Sequence, residues 1–89
     1  MDVLLKYRDE IDSIDKELIV LFEKRMDMAC LVAEYKKEHE MDIFHPDREF
    51  DILKKCISDL NNKKYEEYAV EYIKKIMEIS KKLQFDTIK

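Results

Sequence analysis

The chain has 89 residues, no glycine and one proline, with 17 basic against 21 acidic residues for a net charge of -4. One domain is the most this length builds, and the absence of glycine excludes hairpin-rich β folds and glycine-rich phosphate loops, whose turns need positive φ. An acidic balance argues against nucleic acid as a partner, while 43% charged and 46% hydrophobic residues exclude disorder and membrane embedding. An all-α fold of long helices is what remains. Charge within the first six residues leaves no signal peptide or membrane span, and Cys30 and Cys56 stand in no paired spacing, so a cytoplasmic protein with free thiols is expected. His39 and His45 do not make a metal site, and no cofactor motif is present. Neither a metal nor a cofactor is expected.

The first segment carries a heptad. Leu4, Ile11, Leu18 and Val32 fall on one row, and Ile14, Leu21, Met28 and Tyr35 on a second row offset by three. Nothing between Val3 and His39 breaks a helix, so one helix of about 35 residues is expected, roughly 50 Å long. A compact chain of this size would be about 30 Å across. The stripe therefore needs a second copy to cover it, and an intertwined helical homodimer is the expected assembly.

Residues 40–45 read as a connection, with Pro46 at the first position of helix two. That helix is expected to reach about Leu60, with Phe50, Leu53, Cys56, Ile57 and Leu60 on one face. Asn61 and Asn62 are expected to close it through a left-handed cap. Helix three should start near Tyr65, with Tyr68, Ala69, Tyr72, Ile73, Ile76, Ile79 and Leu83 at helical spacing, and the tail from Phe85 to Lys89 should fray. Residues 1–89 form a single expected domain of three helices.

Polar residues interrupt these stripes. Arg25 occupies the heptad row between Leu18 and Val32, where an unpaired cation costs stability. It reads either as a register-setting residue or as the receptor of an anion. Lys36 lies eleven residues on, about 16 Å along the axis and only ~20° round it, so both side chains can reach one small dianion. Taken singly, Lys36 reads equally as a solvated lysine. Arg48 and Glu49 sit in the first turns of helix two, where acids also complement the helix dipole. Ser80 and Gln84 stand at i and i+4 beside the apolar stripe of helix three.

The order of these elements resembles the all-helical, type II chorismate mutase family in its stand-alone, monofunctional form. The likeness runs from Leu4-Leu5-Lys6-Tyr7-Arg8 through Glu23-Lys24-Arg25, Lys36 and Ile43-Phe44-His45-Pro46-Asp47-Arg48-Glu49 to Ile79-Ser80-Lys81-Lys82-Leu83-Gln84. It covers residues 4–84, and all three arginines fall on family positions. The resemblance implies rearrangement of chorismate to prephenate, the branch-point step toward phenylalanine and tyrosine, without a cofactor. It implies that Arg8 and Arg25 bind the substrate carboxylates, and that Lys36 contacts a carboxylate and the ether oxygen. Gln84 would bond that oxygen from the other side, and Glu49 would accept from the ring hydroxyl. Arg48 would orient the same end of the substrate and Ser80 would support a carboxylate. His45 stands at the margin of the site where the family commonly has Asp, which is expected to weaken a helix cap.

Arg8 is 17 residues from Arg25 on one helix, about 25 Å, so a site that uses both must take Arg8 from the partner chain. Two other readings share these residues. An isochorismate-pyruvate lyase on the same scaffold typically lacks the Glu at position 49, which favours the mutase. A non-catalytic dimerisation module would pair Arg25 with a carboxylate of the protein itself.

Overall fold

A computed structural model describes residues 2–89. Three α-helices follow in chain order: α1 (Val3–Glu38), α2 (Pro46–Asp59) and α3 (Glu66–Thr87), with a short 3-10 turn at Lys63–Tyr65 before α3. Among the described residues there is no strand. The Asp2 side chain caps α1 by accepting the Leu4 N–H at 3.0 Å. With no glycine or proline to break it, α1 runs for 36 residues and sets the long dimension of the chain, 58 Å against 24 and 15 Å. The radius of gyration, 16.4 Å, exceeds the ~12 Å of a compact chain this size.

The end of α1 is closed by a Schellman arrangement. Glu40 has a φ of 54°, and the Met41 N–H bonds the Lys36 carbonyl while the Glu40 N–H bonds that of Lys37. Glycine normally takes such a position, and this chain has none. Asn61 and Asn62, by contrast, do not form the expected left-handed cap. Leu60 ends α2 in an extended conformation, and the Asn62 side chain instead caps the 3-10 turn by accepting the Lys64 N–H at 3.1 Å. That local bond starts the next element, an Asn role that competes with closing the previous one.

Helix α3 lies between the other two, packing against both, whereas α1 and α2 do not pack on each other. The interior is small: Ala29 and Ala33 of α1, Ile43 of the connection, and Met77 and Ser80 of α3. Alanines let α1 and α3 approach closely. The expected faces need three corrections. Phe50 is 61% exposed, and Ile52 is the half-buried residue of that turn. Tyr68 and Tyr72 are exposed, because α3 buries its second half rather than its first. Where a frayed tail from Phe85 to Lys89 is expected, α3 is helical as far as Thr87, whose hydroxyl donates to the Leu83 carbonyl at 2.8 Å and approaches the Cys30 thiol.

Among the described residues, none covers the heptad stripe. Every residue from Asp2 to Lys24 is exposed, and both apolar rows are 42 to 60% accessible. Among the described residues, no helix is long and apolar enough to cross a membrane.

His45 caps α2 with its own side chain, contrary to the expected weakening: Nδ1 accepts the Arg48 N–H at 3.0 Å. A neutral imidazole has one ring nitrogen free to accept, so it replaces a carboxylate at this task.

Two stability predictions follow from these termini. Glu40→Gly should raise the urea midpoint, because relief of a left-handed residue (about 1–2 kcal/mol) exceeds the entropy glycine adds to the unfolded chain (about 0.5–1 kcal/mol). His45→Ala should lower stability by about 1 kcal/mol and His45→Asp should not. Equal midpoints for the Ala variant and wild type would remove the cap.

Candidate active site

The three helices and the connection before α2 border a cavity of about 280 Å³ that is open to solvent on one side. From α1 come Arg25 and Lys36, from the start of α2 Arg48 and Glu49 with His45 before them, and from α3 Ser80, Lys81 and Gln84. Met28, Val32, Ile52 and Met77 supply apolar wall. Seven of the eight candidate residues named from the sequence thus line one cavity: Arg25, Lys36, His45, Arg48, Glu49, Ser80 and Gln84.

Arg8 is the exception. It is exposed and lies outside the cavity, separated from Arg25 along an unbroken helix by about 25 Å.

Two of the cations on α1 are held by their neighbours. The Arg25 guanidinium donates through Nη1 to the buried Ser80 hydroxyl across the α1–α3 contact. Among the described residues no carboxylate pairs with it. Its remaining N–H groups are free to take a planar anion. Lys36 donates from Nζ to the Ile43 carbonyl at 3.0 Å, tying the connection back onto α1. That bond uses one of three ammonium donors. The His45 cap fixes the first turn of α2, which carries Arg48 and Glu49 on the far wall. Gln84 presents a buried Oε1 with no hydrogen-bond partner.

The cavity holds Arg25, Lys36, Arg48 and Lys81 against the single carboxylate of Glu49. It is a positive hollow in a chain whose net charge is -4. Such a set can bind and orient a small multivalent anion and stabilise negative charge that develops on it. It contains no thiol, hydroxyl–imidazole pair or other activated nucleophile. Reasoning from the sequence missed Lys81, which sits in a Lys-Lys pair that reads as solvated surface. It also missed Met77, whose burial depends on which half of α3 meets α1.

Comparison with known proteins gives a family. Residues 7–85 match the family described as chorismate mutase type II. A T-protein of Haemophilus influenzae is 43% identical over 53 residues, which cover 60% of this chain and 14% of that protein. A T-protein of Enterobacter agglomerans is 40% identical over 50 residues, covering 56% of this chain and 13% of its own length. The match therefore spans only a small part of these curated relatives. No solved structure matches the chain significantly. Because the family match runs through all three helices and the cavity between them, the chain belongs to the chorismate mutase type II family.

Proposed function

We propose that the chain rearranges chorismate to prephenate, as a single domain over residues 1–89 acting in a homodimer in the cytoplasm. The observation that carries this reading is the convergence of Arg25, Lys36 and Gln84 on one cavity with apolar walls. The rearrangement is unimolecular: a C–O bond breaks while a C–C bond forms, and no proton, nucleophile or cofactor takes part. An enzyme contributes by holding the compact conformer and by placing donors where charge accumulates on the ether oxygen.

The roles follow from placement. Arg25, steadied by Ser80, takes one carboxylate. Lys36 retains two donors beyond its bond to Ile43, for a carboxylate and the ether oxygen. Gln84 closes on that oxygen from α3 by presenting its amide N–H. Its unpartnered Oε1 would cost about 1–3 kcal/mol if it stayed unpaired, and rotation of the amide exchanges the two ends. Glu49 accepts from the ring hydroxyl, Arg48 orients the same end, and His45 holds both through the cap.

The second carboxylate needs a further clamp, which Arg8 of a partner supplies. Three facts support the dimer: the exposed heptad stripe, the elongation of the chain and the distance of Arg8 from its own cavity. Absence of a carboxylate partner for Arg25 argues against a purely structural module, and Glu49 argues for the mutase over the lyase.

The direct test is loss of chorismate absorbance on adding purified protein, with prephenate as product; salicylate would instead identify the lyase, and unchanged absorbance would sink both. Lys36→Ala should reduce turnover about 10²–10³-fold, the usual effect of removing one donor to developing charge, and should also lower stability by about 1–3 kcal/mol through loss of the bond to the Ile43 carbonyl. Retention of more than about a third of the rate would return Lys36 to the solvated surface. Gln84→Glu should work only in acid. Its carboxylate repels the developing charge, and only the protonated form donates, so activity should rise as pH falls toward the group's pKa. Full activity at neutral pH would remove Gln84 from the ether oxygen.

A further inference from the structure

A carboxylate is an awkward wall for a cavity that receives a dianion, yet Glu49 forms part of that wall. Its charge is balanced from α3. Lys81 Nζ lies 3.0 Å from Glu49 Oε2, with the two side chains 32% and 26% exposed. The other ion pairs, Lys75–Glu78 and Lys89–Asp86, are i,i+3 pairs within α3 or at its end and largely exposed. Among the described residues, then, Lys81–Glu49 is the one ion pair that joins two helices. The same ammonium stands 4.6 Å from the centroid of the Phe44 ring, within cation–π range. A single side chain therefore links α3 to the start of α2 and to the connection that precedes it.

We propose that Lys81 is a positioning residue of this site: its ammonium neutralises and holds Glu49 so that a carboxylate can face a dianionic substrate. The pair occupies Oε2 and leaves Oε1 to accept from the ligand. Without Lys81, the unpaired Glu49 charge repels the substrate carboxylates in a partly water-excluded cavity. Because α2 packs on α3 and not on α1, the pair also sets how Glu49 and Arg48 face Arg25 and Lys36 across the cavity.

This inference rests on the function proposed above, and two measurements separate them. In steady-state kinetics with chorismate, Lys81→Met should lower kcat/KM by about tenfold, mainly through KM, since repulsion acts on bound substrate and transition state alike. Lys81→Arg should restore it to within about threefold. In a Glu49→Gln background, where there is no charge to neutralise, Lys81→Met should change kcat/KM by less than about twofold. The same loss in both backgrounds would mean that Lys81 acts on the substrate directly, and no loss in either would mean an idle pair. Each result overturns the proposal. In NMR of the protein labelled with ¹⁵N and ¹³C, the Lys81 ammonium cross-peak should move on Glu49→Gln. An unmoved peak overturns the pairing whatever the kinetics show. Wild-type protein that leaves chorismate untouched overturns the proposed activity instead, and the NMR shift then decides the pair.

Discussion

A helix of 36 residues in a chain of 89 is the constraint on which the rest depends. The other two helices are too short to cover it: α3 has 22 residues and α2 has 14. Only the last part of α1 finds a partner within the chain, and there Ala29 and Ala33 allow α3 close enough to bring Ser80 against Arg25. Within a single chain the remainder is an exposed apolar stripe, and leaving it in water would cost about 25 cal/mol for each Å² of apolar surface uncovered. The length that gives the cavity its α1 wall also puts Arg8 far outside it.

The interior that the single chain does form is largely the floor of a site. Of its five buried residues, Ala29, Ile43, Met77 and Ser80 all line the cavity. Ser80, the one buried polar residue, is satisfied by the cation that it orients. Stability and function therefore draw on the same few contacts. Lys36 shows this most plainly, because the ammonium that closes the connection through Ile43 also faces the hollow.

The helices were legible because their punctuation is local. Heptad rows, one proline at the start of α2 and an absence of glycine suffice to place three helices, with every end but the last within a residue or two. Seven polar side chains could be gathered because their order along the chain resembles that of the chorismate mutase family, whereas singly each also fits a structural or solvated role. What the sequence hid lay in choices between equivalent residues. Asn61 and Asn62 could have closed α2, and the left-handed position went instead to Glu40, where the carbonyls of Lys36 and Lys37 needed donors. His45 looked like a poor cap because its ability to accept depends on a tautomer that the one-letter code does not carry. Lys81 and Lys82 are identical in type, and only the crossing of α3 over α2 sends the first to Glu49. The exposure of Tyr68 and Tyr72 has the same origin, since helical spacing reports a stripe without saying which half of it meets a neighbour.

The central claim is that a complete site takes Arg25 and Lys36 from one chain and Arg8 from another. Arg8→Ala and Arg25→Ala proteins, each nearly inactive alone, can be unfolded together in equal amounts and refolded. Random pairing makes half the dimers mixed, and each mixed dimer has one site with both arginines and one with neither. The mixture should recover about 25% of wild-type activity per chain if the two sites are independent. A mixture no more active than its parents, with mixed dimers verified by mass spectrometry, would contradict the shared site.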